Sequence, residues 1–263
     1  MKKIIKKTGV VILLAVVALL CNVAHAEYTN IELDFGNQEA AGFPGQANPL
    51  IEFGDVAKSG SSIYATLEAD DPWTSNNTAN QGSEDGNIIV NAQNGETVNL
   101  TLSLWNDADY TTAFDPGESY KWSLGFYDID GTSSGTADIL TLKTAGTYTV
   151  TQNTFLAVDN TDPAAPIFDG GNQEVTEPSD ISNLTGDQAN VAVLYTLYDI
   201  PSVEFTYQVT ETSGDVGRTL FVDGGDLAFG DGVVTEDVTI PEPATMALLG
   251  IGGLFSIRRK RSS

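Results

Sequence analysis

The sequence predicts an all-β fold, an antiparallel β-sandwich or jelly roll, for one domain formed by residues 27–240. Many short segments in this range alternate apolar and polar residues or are rich in β-branched and aromatic residues, as half-buried strands are. Clusters of Gly, Asn, Asp and Pro separate these segments. Between Glu27 and Ile240 we find no segment with the apolar period of a helix.

The first half of the domain contains five predicted strands, at 31–35, 50–56, 62–67, 87–91 and Thr97–Trp105. The pattern is clearest in Thr97–Trp105, because leucine and valine alternate along it with Asn, Thr and Ser. Asn94 and Gly95 lie between the last two segments, and this pair favours a type I′ turn, in which both central residues need positive φ. We therefore expect a hairpin there.

The second half contains five more predicted strands, at Tyr120–Tyr127, 147–158, 189–198, 203–209 and 218–222. In Tyr120–Tyr127, the larger aromatic and apolar side chains alternate with Lys121, Ser123 and Gly125. Trp122 falls on the apolar face of this strand, so we expect it in the core.

The N-terminus has the three parts of a secretory signal peptide over residues 1–26. Lysines dominate the first seven residues, an apolar run covers 8–20, and Ala24 and Ala26 occupy the two positions that signal peptidase recognises. The sequence predicts an N-terminal signal helix and cleavage before Glu27. Cys21 would suit a lipidated N-terminus, but the bulky Leu20 directly before it fits that processing poorly.

The C-terminus, residues 241–263, is also tripartite. Pro241, Glu242 and Pro243 break the preceding strand, and an uncharged, mostly apolar stretch follows at 244–257. Four basic residues follow, Arg258, Arg259, Lys260 and Arg261. Because positive charge beside an apolar helix tends to stay in the cytoplasm, we expect them to stop the chain at the membrane. As a helix, the apolar stretch would be about 21 Å long, which is short against a hydrocarbon core of about 30 Å.

This tail resembles the PEP-CTERM sorting signal, and the resemblance is confined to it. In this resemblance, the recognition motif corresponds to Pro241, Glu242 and Pro243, and the short helix and the basic cluster follow it. The resemblance implies sorting by an exosortase-type membrane protease in a Gram-negative bacterium, with transient tethering in the inner membrane. It further implies a destination at the cell surface or in an exopolysaccharide-rich biofilm matrix.

The exported part is strongly acidic. Residues 27–242 contain all 36 acidic residues but only four basic ones, a formal charge of −32. This field repels nucleic acid, which we exclude as a partner. Cys21 and His25 are the only residues of their kinds, and both precede the predicted cleavage site. Disulfides, histidine-dependent nucleophilic catalysis and His/Cys zinc sites are therefore excluded from the exported part.

Carboxylates remain as the candidate ligands. Asp107 and Asp109 follow one predicted strand, and Asp128 and Asp130 follow the next. Alternate aspartates at a strand end point to the same side, and such oxygen ligands suit Ca²⁺. If the two loops meet, the four carboxylates form a calcium site. Solvated turns explain the same residues, and the sequence leaves both interpretations open.

Trp73 and Trp105 are candidates for stacking on sugar rings. Trp105 falls on the polar face of its strand, and Trp73 lies in a polar segment that we expect to be exposed. The sequence favours a non-enzymatic surface or matrix protein associated with exopolysaccharide, with Ca²⁺ as a candidate ligand. The alternative is a secreted glycoside-acting enzyme, which needs only two carboxylates, one of them in an aromatic-lined cleft with a raised pKa.

Overall fold

The computed structural model describes residues 28–41, 49–74, 82–84, 86–178, 184–210, 217–225, 227, 229 and 232–240. The predicted signal peptide and its cleavage residues Ala24 and Ala26 lie outside the described residues, as do the whole tail from Pro241 onward and its predicted helix.

The described residues form two sheets that are almost entirely antiparallel, which confirms the sandwich prediction. We call them sheet I and sheet II. Sheet I contains β1 (Thr29–Ile31), β5 (Gly82–Glu84), β6 (Asn87–Ala92), β8 (Tyr120–Tyr127), β10 (Gly146–Thr151), β13 (Val193–Tyr198), β15 (Arg218–Asp223) and β16 (Val233–Val238). Its order is β16-β10-β13-β8-β15-β6-β5, and β1 runs parallel to β8.

Sheet II contains the remaining strands in the order β11-β12-β9-β14-β7-β4-β3-β2. Their bounds are β2 (Gln38–Ala41), β3 (Leu50–Phe53), β4 (Tyr64–Ala69), β7 (Thr97–Trp105), β9 (Asp138–Leu142), β11 (Ala157–Asp159), β12 (Ile167–Asp169) and β14 (Ser202–Val209).

The core lies between the sheets and consists of the inward side chains of both. Phe126 of β8 meets Phe205 of β14 edge to face, with ring centroids 5.0 Å apart. Tyr148 of β10 and Phe168 of β12 pack in the same way at 4.9 Å. Such aromatic pairs stabilise beyond the area that they bury. Trp122 is fully buried in this core, as predicted.

The predicted hairpin at Asn94-Gly95 is wrong, although a turn is present there. Gly95 has a φ of +84°, but Asn94 does not have a positive φ, so the turn is not the predicted type I′. However, β6 pairs with β5 and β15 in sheet I, whereas β7 pairs with β4 and β14 in sheet II. The turn therefore carries the chain from one sheet to the other. Local turn chemistry cannot distinguish these outcomes, because it specifies the reversal and not the partner.

Two predicted strands are shorter than expected. The segment 147–158 divides into β10 in sheet I and β11 in sheet II. The segment 189–198 begins as a strand only at Val193, because a four-residue helix, α1 (Gly186–Ala189), precedes it. A capping box at Thr185 and Gln188 starts this helix, which is too short to give an apolar period.

Within the described ranges, the structure contains no helix with the length and hydropathy needed to cross a bilayer.

Candidate functional site: an aromatic row on the outer face of sheet II

The outer face of sheet II presents side chains that alternate with the core. On β7, Val98 and the three leucines are buried, while the intervening residues are half-buried or exposed. The same alternation on β3, β4 and β14 turns hydroxyl, carboxylate and aromatic groups outward.

Three aromatic residues form a row at one end of this face, Tyr64, Trp105 and Tyr110, which we call the aromatic row. Tyr64 lies directly opposite Trp105 across β4 and β7. The Trp105 indole Nε1–H donates to Thr66 Oγ1 at 2.9 Å. The Tyr110 ring meets the Tyr64 ring edge to face at 6.4 Å. All three aromatic residues are half-buried.

Tyr110 reaches this position from the loop after β7. Its φ is +52°, a strained conformation for a bulky residue. Its hydroxyl donates to the Phe53 carbonyl at 3.2 Å, which ties the loop to β3. Strained residues persist where surrounding contacts hold them, and they concentrate at functional sites.

Asp107 holds the same loop in shape. Its carboxylate accepts the Thr111 N–H and hydroxyl, both at 3.1 Å, and the Thr112 N–H at 2.9 Å. These bonds, led by that of the Thr111 backbone, lower the pKa of Asp107 below its usual value. Asp107 therefore orients the loop that carries Tyr110.

Hydroxyl and carboxylate groups continue along β7 from the aromatic row. Ser103 lies between Thr66 and Ser202, and its hydroxyl is 3.0 Å from that of Ser202. Next, Thr101 lies between Glu68 on β4 and Glu204 on β14. Both glutamates are exposed.

The beginning of β8 and the end of β7 share one end of the sandwich. The Asp199 N–H donates to the Tyr120 carbonyl at 3.0 Å, and the Leu104 N–H donates to the Pro201 carbonyl at 2.8 Å. The loop at 199–201 therefore borders both strand ends, and the other end of β8 points away from it.

The structure does not bring the four candidate calcium ligands together. Asp107 and Asp109 follow β7 at the shared end, whereas Asp128 and Asp130 follow the far end of β8, about 25 Å away along an eight-residue strand. Asp109 is exposed, and Asp107 is engaged by its own loop. Across the described residues, no group of three or more His, Cys, Asp or Glu could hold a metal ion.

Asp130 belongs instead to a buried Asp–Arg cluster with Asp138, Tyr207 and Arg218. Arg218 Nη2 contacts Asp130 Oδ1 and lies 3.0 Å from Asp138 Oδ2. The Tyr207 hydroxyl donates to Asp138 Oδ1 at 2.7 Å. The N–H of Val175 also donates to Asp130 Oδ2. Burial raises the pKa of Asp138 well above its usual value.

Asp128 lies beside this cluster. Burial is the main cause that raises the pKa of Asp128 to about 7, Arg218 opposes the shift, and Glu177 adds to it. Its φ of +65° places it in the left-handed region, which Asp tolerates better than most residues. The sequence singled out Asp128 and Asp130 for calcium, but it contains no signal that Asp138 and Arg218 join them.

A raised carboxyl pKa is one requirement of the glycoside-acting alternative, and an aromatic-lined cleft is the other. A cavity of about 410 Å³ lies next to the Asp–Arg cluster, at Val175. Its lining residues are Gln173, Glu174, Val175, Thr176, Thr185, Asp187 and Gln188. This lining contains no aromatic side chain, and Arg218 and Tyr207 enclose the buried carboxylates. The geometry therefore does not favour glycoside cleavage here.

Trp73 is not exposed, contrary to the prediction. It is 5% exposed, and its indole Nε1–H donates to the Asn91 carbonyl at 3.0 Å. The chain crosses from β4 in sheet II towards sheet I at this point, which carries the ring over the core. Trp105 is thus the one of the two candidates that lies on an outer face.

Comparison with known proteins identifies the tail. Residues 239–261 match the family model of the PEP-CTERM protein-sorting motif, which confirms the resemblance. The match includes Pro241, Glu242, Pro243 and the four basic residues. This motif directs export to the cell surface through an exosortase, so the chain is an exported surface protein.

None of the curated proteins compared with the chain matches it. Among solved structures, the adhesin domain of PrgB from Enterococcus faecalis is similar, with 11% sequence identity and a TM-score of 0.38. The match covers 68% of this chain and 64% of that one, so the chain spans less than two thirds of its length. A likeness of this size does not establish a shared fold.

Proposed function

We propose that this protein is a non-enzymatic surface or matrix component that binds exopolysaccharide through the aromatic row. The match of residues 239–261 to the sorting motif supports the surface destination in this proposal. In the proposed maturation, signal peptidase cuts after Ala26. An exosortase then recognises Pro241, Glu242 and Pro243, while the basic cluster holds the tail transiently in the inner membrane of a Gram-negative bacterium.

The aromatic row supports the polysaccharide binding in this proposal. Aromatic rings are apolar on their faces and can lie against the apolar face of a sugar, while hydroxyl and carboxylate groups beside them bond the sugar hydroxyls. Tyr64, Trp105 and Tyr110 provide such rings beside Ser103 and Thr101. The Trp105–Thr66 hydrogen bond fixes the indole ring before a ligand arrives, which lowers the entropy cost of binding.

The sorting step can be tested in a host that has an exosortase. Replacing Pro241, Glu242 and Pro243 with alanines should leave full-length protein in the membrane, as judged by immunoblots of membrane and surface fractions. Ser262→Ala/Ser263→Ala, outside the matched range, is the control and should be sorted normally. Normal release of the triple-alanine variant would contradict the exosortase assignment.

Polysaccharide binding can be tested by affinity electrophoresis of the processed protein in gels that contain the host's exopolysaccharide. Trp105→Ala should weaken binding at least about tenfold, equivalent to about 1.4 kcal/mol. Tyr198→Ala is the matched control, because Tyr198 is half-buried beside Tyr28 on sheet I. Unchanged migration of a folded Trp105→Ala protein would exclude the aromatic row as the binding site.

A further inference from the structure

We infer that the polysaccharide bound by the aromatic row carries free amino groups. The inference rests on the proposed function and adds the chemical class of its ligand. The inference depends on the charged side chains beside the aromatic row and on their positions relative to β7.

A polymer stacked on Trp105 that runs along β7 passes Ser103 and then Thr101. At Thr101 it lies between Glu68 and Glu204, each one strand spacing away, about 4.8 Å. We call these two glutamates the acidic pair. Successive outward positions on β7 are about 6.6 Å apart, so the acidic pair lies about 13 Å from the Trp105 position. A ligand of a few sugar units therefore reaches both features.

Among the described residues, the nearest basic residue forms no ion pair with the acidic pair. Lys143 follows β9 and lies beside Glu204, since its N–H donates to the Glu204 carbonyl at 3.0 Å. Its ammonium group donates instead to the Asn99 side-chain oxygen at 2.8 Å, further along the face. A third carboxylate, Glu52, adds to the negative charge next to Thr66.

This charge distribution discriminates between classes of polysaccharide. Uronate, sulfate or phosphate polymers would meet a carboxylate-lined face on a body with a formal charge of −32. Neutral polymers gain only stacking and uncharged hydrogen bonds. An ammonium-bearing hexosamine polymer gains charge-assisted hydrogen bonds at the acidic pair, and its ammonium groups are attracted to the aromatic faces.

The experiment compares three oligosaccharide probes of equal length at a mildly acidic pH: β-1,4-linked glucosamine, its N-acetylated form and an oligouronate. Isothermal titration calorimetry on the processed protein measures each affinity. The glucosamine oligomer should bind at least about tenfold more tightly than the N-acetylated one, and added salt should reduce the difference. The oligouronate should bind most weakly.

Two charge-matched variants separate the site from the general field of the protein. Glu68→Gln/Glu204→Gln should abolish the preference for free amines, so that this variant binds the glucosamine oligomer no more tightly than the N-acetylated one. Glu32→Gln/Glu118→Gln removes two exposed carboxylates elsewhere and should keep the preference. An equal loss of preference in both variants would overturn the inference.

The outcomes also separate this inference from the proposed function. Equal affinity for the free and N-acetylated oligomers, or tighter binding of the oligouronate, would overturn the amine specificity and leave polysaccharide binding in place. If none of the probes and no host polysaccharide binds, the proposed function fails and the inference fails with it.

Discussion

At the scale of single residues, Arg218 is the group on which the buried charges of the Asp–Arg cluster depend. It is 14% exposed and lies between Asp130 and Asp138, which are 1% exposed. Without a cation between them, the two buried carboxylates would not be compensated for their loss of hydration, and they would repel each other.

Arg218→Met should therefore lower the free energy of unfolding by about 3–5 kcal/mol, measured by urea denaturation. Lys143→Met is the control, because the Lys143 ammonium group bonds Asn99 at the surface. We expect the control to cost less than about 1 kcal/mol. A similar small loss for Arg218→Met would mean that the carboxylates are protonated and need no cation.

The sequence predicted the candidate site only in part at this scale. Period-two alternation placed Trp105 on the polar face of β7, and the structure agrees. Tyr64 and Tyr110 were missed, because their approach to Trp105 depends on strand pairing and on a loop held by Asp107. Asp138 and Arg218 were missed for the same reason, since nothing local indicates that side chains 80 residues apart share a hydrogen bond.

At the scale of elements, the loops at the far end of β8 are packed so tightly that glycine is required. A Cβ at Gly131 would overlap the carbonyl oxygen of Gly171 and lie 3.0 Å from that of Thr136. Both obstacles are backbone atoms, which cannot rotate away as a side chain can.

Gly131→Ala should thus destabilise the protein by at least about 1–3 kcal/mol, the usual cost of overpacking, as measured by thermal or urea unfolding. Gly186→Ala is the matched control at the start of α1, where an added Cβ meets no atom within 4 Å. Alanine favours a helix over glycine, so this control should be neutral or slightly stabilising. Equal stability of the two variants would show that the 131 and 171 loops separate easily.

The positions of the strands were predicted better than the pairing between them. Thr97–Trp105 and Tyr120–Tyr127 were located to the residue, because alternation against a core is a local property. The Asn94-Gly95 turn was located too, but its strands entered different sheets. Partnership depends on which apolar faces meet across the sandwich, and this information is spread over the whole domain.

At the scale of the whole molecule, the stability of the protein should fall as pH rises from about 4 to about 7. Asp128 has an ordinary pKa of 3.8, and burial raises its pKa in the fold to about 7. Between these values the folded protein keeps a proton that the unfolded chain has released, so a higher pH favours unfolding.

Asp128→Asn should reduce this slope, measured as the urea midpoint across the pH range. Asparagine suits the same left-handed backbone, so the substitution removes the titrating group and keeps the φ preference. The carboxyl of Asp107 serves as a contrast, because its pKa is lowered and Asp107→Asn should leave the slope above pH 4 unchanged. An unaltered slope in Asp128→Asn would show that other groups cause it.

The junction between body and tail has a consequence for maturation. β16 ends at Val238, which is 2% exposed, and the Thr239 N–H donates to the Pro163 carbonyl at 3.0 Å. The matched sorting motif begins at that same Thr239. Wherever the chain is cut after Thr239, the trimmed product keeps all the strands that the structure describes. If the tail is removed as proposed, folding can therefore be complete before the protease acts, and the trimmed body needs no rearrangement.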